Sequence, residues 1–87
     1  MSERNIEMNA VRHAMRNGWF VCKLNSVSCN GIPDRMFIKG GRVVFIEFKA
    51  TGKTTRKLQD IVIGDMQAHG AEVHVIDNLD EAYNVLS

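Results

Sequence analysis

The sequence predicts an α/β fold in which helices flank a mixed four-stranded sheet, with the elements in the order αβββαβα. The glycine pair Gly40-Gly41 separates two apolar runs of strand length, which is the pattern of a β-hairpin. Apolar residues at helical spacing mark three segments: one before the first strand, one after the hairpin and one at the end of the chain. Because a helix separates the last two strands, we expect these strands to be parallel, which makes the sheet mixed.

The composition indicates one small globular domain spanning residues 1–87. Hydrophobic residues make up 45% of the chain and there is a single proline, as in folded proteins. A domain of this size buries roughly 60 to 65% of the surface of its unfolded chain, so dimerisation would add useful stability. No apolar run approaches the ~20 residues that span a bilayer, and the first residues lack the layout of a signal peptide. We therefore expect no membrane association and a cytoplasmic location.

Residues 3 to 17 are predicted to form the first helix, which Gly18 ends. Its apolar face consists of Ile6, Ala10, Val11, Ala14 and Met15. Glu7 lies within this face, and a buried carboxylate is costly unless it is paired or bound to a metal. Alternatively, Glu7 only borders the core, and its charge favours the N-terminal end of the helix dipole.

A strand is predicted over residues 19 to 24, followed by a polar loop over residues 25 to 32. The hairpin strands then cover residues 34 to 38 and 42 to 49. The loop contains Cys29, which with Cys22 lacks the C-x-x-C spacing of a metal or redox motif. We expect both cysteines to be free thiols.

The hairpin is expected to place two acids opposite each other. With the glycine pair at the centre of the turn, counting outward along both strands pairs Asp34 with Glu47. Side chains in such positions have Cβ atoms about 4.5 to 5.5 Å apart, and like charges there are destabilising unless something compensates them. A divalent cation would compensate them, and Lys49 shares the face of Glu47 because strand side chains alternate. Alternatively, Asp34 only begins a strand, and Glu47 forms an ion pair with Lys49 or Lys23.

The second half of the chain is predicted to contain a helix, a strand and a helix. The first of these helices begins after Thr54 or Thr55 and ends near His69, with an inner face of Leu58, Ile61, Val62 and Met66. A strand follows over residues 71 to 76. Asn78 then caps a last helix, whose apolar residues are Leu79, Ala82, Tyr83 and Leu86.

The charges are distributed unevenly along the chain. All 11 Lys and Arg residues lie in residues 1–57 with four acids, so this part carries a net charge of +7, whereas residues 58–87 carry −6. Lys53, Arg56 and Lys57 cluster at the start of the second helix, where they would contact the phosphates of a nucleic acid or, alternatively, belong to a solvated turn. Gly52-Lys53-Thr54 resembles the end of a nucleotide-binding P-loop, but that motif needs a glycine where Glu47 stands, so we expect no nucleotide cofactor.

Two acids beside a lysine meet the chemical needs of phosphodiester hydrolysis. Mg²⁺ or Mn²⁺ held by carboxylates neutralises charge on the phosphoryl oxygens, and a nearby lysine helps to position or activate the water. Asp34, Glu47 and Lys49 provide these groups. Gln59, in the first turn of the second helix, would hydrogen-bond the water or a phosphate, or else is a solvated helix residue.

Taken together, these residues resemble the PD-(D/E)xK nuclease superfamily and, within it, the virus-type replication-repair nuclease (VRR-NUC) family. The similarity runs through Glu7, Gly31-Ile32-Pro33-Asp34, Ile46-Glu47-Phe48-Lys49, Gln59, Gly70 and the strand at residues 73 to 76. It implies a restriction-endonuclease-like core. It also implies that Asp34, Glu47 and the backbone carbonyl of Phe48 bind Mg²⁺ or Mn²⁺, that Glu7 completes the acidic cluster, and that Lys49 and Gln59 serve catalysis.

The resemblance implies a metal-dependent endodeoxyribonuclease that acts as a homodimer on four-way (Holliday) junctions or other branched DNA. A catalytically silent DNA-binding or assembly module of a replication or recombination complex is the alternative from another class. A restriction-like enzyme that cuts a defined duplex sequence is a third possibility. The serine-rich loop at residues 25 to 30 contains no residue that a motif assigns, so the preferred DNA structure is left open.

Overall fold

Helices and strands follow one another in the order that the sequence predicts. The computed structural model describes residues 1–25 and 29–87; the middle of the predicted polar loop, residues 26–28, lies outside this range. The elements are α1 (Glu3–Arg16), β1 (Phe20–Lys23), β2 (Arg35–Lys39), β3 (Arg42–Phe48), α2 (Lys57–Ala68), β4 (Glu72–Ile76) and α3 (Leu79–Val85). The predicted αβββαβα order is therefore confirmed.

The four strands form one mixed sheet in the order β1-β2-β3-β4. The first three strands are antiparallel to their neighbours, and β4 is parallel to β3, as expected from the intervening helix. Gly40 and Gly41 have φ angles of 56° and 82°, the left-handed values that a tight hairpin turn requires at both central positions. Lys39 pairs with Arg42 across this turn, so the hairpin has the predicted register.

One face of the sheet carries the main hydrophobic core. Val44, Ile46 and Phe48 alternate along β3 and are fully buried with residues of α1 and α3. The apolar face of α1 is as predicted except for Met15, which is 64% exposed. With about 100° of rotation per residue, Met15 lies beyond Val11 on the circumference of the helix and outside the buried stripe.

The opposite face of the sheet is only partly covered. Helix α2 packs mainly against the edge strand β4. Phe20, Ile38 and Val43 pair across β1, β2 and β3 on this face, and Phe20 and Val43 are exposed. The first half of β3 is therefore fully covered on one face only.

The predicted inner face of α2 is only half correct, because Val62 and Met66 are partly buried but the other two residues are not. The buried residue of α2 is Ile63, whereas Leu58 and Ile61 are half exposed. The helix begins at Lys57, because the backbone N–H of Arg56 donates to the side-chain oxygen of Gln59 (3.0 Å), which caps the first turn. Thr55 instead donates its hydroxyl to the carboxylate of Asp60.

The end of the sheet opposite the two acids holds the end of the chain. Trp19 Nε1 donates to the carbonyl of Leu86 (3.1 Å), and Arg42 donates to the carbonyl of Val85 (3.3 Å). Arg42 also forms an ion pair with Glu72, which begins β4.

Neither cysteine forms a disulfide, as predicted. Within the described part of the chain, no helix has the length and apolarity needed to cross a bilayer.

Candidate metal and nuclease site

A cleft of about 360 Å³ lies beside the partly covered face of the sheet. The loop before β2, the end of β3 and the first turn of α2 form its walls. Asp34, Glu47, Arg56 and Gln59 line it, so four of the residues singled out in the sequence meet in one place. The hairpin alone brings Asp34 beside Glu47, whereas Gln59 and Arg56 reach them only because α2 packs beside the sheet.

Asp34 is held by the strand that carries the second acid. The backbone N–H of Phe48 donates a hydrogen bond to Oδ2 of Asp34 at 2.9 Å. The hairpin ladder extends to Arg35 opposite Ile46, so Asp34 and Glu47 occupy the next position along the two strands, as predicted. The carboxylate of Asp34 is thereby fixed beside that of Glu47.

Among the described residues, Glu47 is the one charged residue that is buried, with 4% of its surface exposed. Its Oε2 accepts a hydrogen bond from Nε2 of Gln59 (3.0 Å) and lies 3.3 Å from Nζ of Lys49. Its Oε1 is buried and has no hydrogen-bond partner among the described residues. A buried carboxylate oxygen without a partner is costly, so this atom is available to an added ligand.

Both carboxyl groups are destabilised in their charged form. Burial raises the pKa of Asp34, although the hydrogen bond from Phe48 opposes this. Burial also raises the pKa of Glu47, and the negative charge of Asp34 raises it further, against the effect of Lys49. The two acids thus repel each other across the hairpin, which is the situation that a bound cation relieves.

The donor set fits Mg²⁺ or Mn²⁺. These ions prefer carboxylate, carbonyl and water oxygens, and Mg²⁺ is often bound by only one or two carboxylates while keeping several waters. Asp34 and the unpartnered Oε1 of Glu47 supply such oxygens. Within residues 1–25 and 29–87, no three His, Cys, Asp or Glu side chains form a group that would hold a metal ion, so water and backbone oxygens would complete the coordination.

Glu7 is paired with an arginine. Its Oε2 accepts a hydrogen bond from Nε of Arg35 at 2.8 Å, and both side chains are mostly buried. The charge of Glu7 contributes to raising the pKa of Asp34, so the two carboxylates are neighbours. This ion pair explains how α1 tolerates an acid in its apolar face. A role of Glu7 as a metal ligand stays a prediction, as does that of the Phe48 carbonyl.

Gln59 connects the first turn of α2 to the acidic pair. Its side-chain oxygen accepts from the N–H of Arg56, and its nitrogen donates to Glu47. The cap therefore fixes which way the amide points. Of the three predicted phosphate-binding cations, Arg56 lines the cleft, whereas Lys53 and Lys57 are exposed on the neighbouring surface.

Asp77 has a structural role that the sequence did not reveal. Its Oδ2 accepts from the backbone N–H of Gly52 (3.0 Å), and its carbonyl accepts from the hydroxyl of Thr51 (3.0 Å). These bonds anchor the turn that leads from β3 to Arg56. The hydrogen bond from Gly52 lowers the pKa of Asp77. The position of Asp77 directly after β4 could have indicated this role, because β3 and β4 are parallel and their carboxyl ends meet at one edge of the sheet.

The chain is similar to a solved structure described as "VRR_NUC domain", with a TM-score of 0.86 and 21% sequence identity. The similarity covers 95% of this chain and 91% of that chain. No family model matches the sequence, and no curated protein matches it. The chain therefore has the fold of a VRR_NUC domain, which confirms at the level of the fold the resemblance seen in its motifs.

Proposed function

We propose that residues 1–87 form one nuclease domain that hydrolyses phosphodiester bonds in structured DNA with the help of Mg²⁺ or Mn²⁺. The observation that carries this proposal is the buried, unpartnered Oε1 of Glu47 beside Asp34 in a cleft. A binding module has no need of two adjacent carboxylates that repel each other. The VRR_NUC fold supports the same reaction class.

Asp34 and Glu47 would hold the metal ion. When bound, the ion would neutralise charge on the phosphoryl oxygens and favour deprotonation of the attacking water. Lys49, 3.3 Å from Glu47, is suited to orient that water and to carry positive charge next to it. Gln59 keeps the carboxylate of Glu47 in place by its hydrogen bond. Arg56, at the wall of the cleft, would bind a phosphate of the substrate.

We infer that the substrate is branched DNA, such as a four-way junction, and that the enzyme acts as a homodimer. Two symmetric sites suit a substrate with two equivalent strands. Phe20, Ile38 and Val43 form an apolar row across three strands, which we name the open row, and two of its members are exposed. A second copy of the chain packed on the open row would cover these side chains. Lys53 and Lys57 would contact the DNA backbone outside the cleft.

The test compares the wild type with Glu47→Gln and, as a matched control, Glu81→Gln on the exposed surface of α3. Each protein is incubated with end-labelled four-way junction, flap, single-stranded and linear duplex DNA in Mg²⁺, Mn²⁺ or EDTA. We expect metal-dependent cleavage by the wild type and the control but not by Glu47→Gln, with branched DNA cut fastest. Junction binding without cleavage under any ion would favour the silent DNA-binding module instead. Preference for one linear duplex sequence would favour a restriction-like enzyme.

A further inference from the structure

Gly31 lies where a side chain would not fit. Its φ is +85°, and a Cβ atom added there would lie 3.1 Å from the carbonyl oxygen of Leu58 and 3.1 Å from Cγ2 of Val62. Both distances are tighter than ordinary van der Waals contact. The other glycines with left-handed φ, including Gly18 at the same +85°, have open space around them. Gly31 is therefore required for a close approach as well as for its backbone conformation.

This contact joins two walls of the cleft. Gly31 precedes Asp34 by three residues, and the buried Pro33 stiffens the connection between them. On the other wall, Leu58 immediately precedes Gln59, the residue that donates to Glu47. The distance between the loop and the first turn of α2 therefore affects the position of Asp34, an expected metal ligand. It also affects the position of Gln59, which orients Glu47, the other expected ligand.

We propose that Gly31 is a positioning residue, which lets the loop before Asp34 lie directly on the first turn of α2 and so keeps Gln59 within hydrogen-bonding distance of Glu47. One of the two close atoms in α2, the carbonyl oxygen of Leu58, belongs to the helix backbone and cannot rotate away as the side chain of Val62 can. A methyl group at residue 31 would therefore push the loop and the helix apart by a few tenths of an ångström. The catalytic consequence of this inference rests on the proposed nuclease function, whereas the geometric one does not.

The experiment compares Gly31→Ala with Gly18→Ala. Both place alanine at the same left-handed φ, so the backbone strain is matched, but only the first adds the contact with α2. The side-chain amide resonances of Gln59 are followed by NMR, and cleavage of branched DNA is measured in parallel. We expect Gly31→Ala to shift the Gln59 resonances towards solvent-exposed values and to lower kcat about tenfold or more with little change in KM, as displaced catalytic groups do. Gly18→Ala should change neither.

A double variant tests whether the effect passes through Gln59. In the Gln59→Ala background, adding Gly31→Ala should lower kcat little further. A full, multiplicative loss would overturn the proposal, as would equal Gln59 resonances in Gly31→Ala and Gly18→Ala. If the wild type cuts no DNA, the nuclease function fails, but the resonances still decide the positioning role. If Gly31→Ala does not fold, both alanine variants are compared in a Val62→Ala background, which removes one of the two close contacts.

Discussion

The side chain of Gln59 donates a 3.0 Å hydrogen bond to Oε2 of Glu47 while its own oxygen caps helix α2 through the N–H of Arg56. One residue thus links the start of a helix to a buried carboxylate. The arrangement leaves the other oxygen of Glu47 without a partner among the described residues. The protein therefore holds one oxygen of the Glu47 carboxylate by a hydrogen bond and leaves the other oxygen available to a ligand.

The two roles of Gln59 can be separated by substitution. Gln59→Ala removes both the cap and the bond to Glu47, and we expect a loss of about 1 kcal/mol of stability together with about 10- to 100-fold lower cleavage. Gln59→Glu keeps an acceptor for the Arg56 N–H but repels Glu47, so it should retain more of the helix stability and still lose activity. Thermal unfolding and cleavage rates of both variants check this; equal stability of the two would contradict the capping role.

Glu47→Gln is expected to stabilise the metal-free protein at pH 7. Burial raises the pKa of Glu47 in the folded state above its unfolded value of 4.5, so the charged form opposes folding. The stability that the protonated group provides is fully present below pH 4.5 and is lost as the pH rises through the folded pKa. The gain from Glu47→Gln should therefore be present at pH 7 and disappear near pH 4.

Urea unfolding in EDTA at pH 7 and pH 4 measures this difference, with Glu81→Gln as the control on an exposed position. Asp34→Asn should behave in the same direction, because burial raises the pKa of Asp34 as well. A lower stability of Glu47→Gln at pH 7 would mean that the pairing of Glu47 with Lys49 outweighs the cost of burial.

Metal ions are expected to stabilise the folded wild type. A ligand present at 100 times its Kd adds about 2.7 kcal/mol if it binds only the folded state. Mn²⁺ or Mg²⁺ should therefore raise the Tm in a concentration-dependent manner, and EDTA should reverse this. Asp34→Asn and Glu47→Gln should abolish the effect. Glu7→Gln should weaken it less, because Glu7 is already paired with Arg35.

Acid should weaken the ion pair between Arg42 and Glu72. The hydrogen bond from Arg42 lowers the pKa of Glu72 from 4.5 to about 2. Because its pKa is lower in the folded state, Glu72 contributes stability that is present above pH 4.5 and is lost as the pH falls towards 2. Because both side chains are about a third or more exposed, solvent screening limits this contribution to about 1 kcal/mol or less. Glu72→Gln should flatten the decline of the unfolding free energy between pH 4.5 and 2, and added salt should reduce the difference.

The open row predicts how the proposed homodimer can be disrupted. Phe20 is 58% exposed on the face of the sheet that carries Glu47, and a charge there would be buried in a dimer. Phe20→Glu should convert a dimer into a monomer in light scattering at micromolar concentration. Met15→Glu, on the outer side of α1, should leave the mass unchanged. A monomeric wild type would contradict the dimer itself.

Much of the site follows from local sequence patterns. Gly40-Gly41 sets the hairpin register because few residues tolerate left-handed φ at both central positions of a tight turn. That register places Asp34 opposite Glu47, and the period-2 alternation of a strand places Lys49 beside Glu47. These relationships extend over only 16 residues, so no knowledge of the remaining chain was needed to predict them.

The errors lie where packing between distant segments decides the outcome. The apolar periodicity of α2 favoured Leu58 and Ile61 as core residues, yet the helix packs mainly against β4 and leaves them half exposed. The pairing of Glu7 with Arg35, 28 residues away, depends on how α1 crosses the hairpin. Neither periodicity nor propensity contains this information.

The sequence by itself determined the element order, the facing acids and the lysine beside them, because turns and strand alternation act over a few residues. Only the tertiary structure decided that Gln59 reaches Glu47, that Arg56 lines the cleft, and that one carboxylate oxygen is left buried without a partner among the described residues. These features arise when a helix, a loop and a strand pack against one another, which no local pattern specifies, and burial then shifts the pKa values of the charged groups.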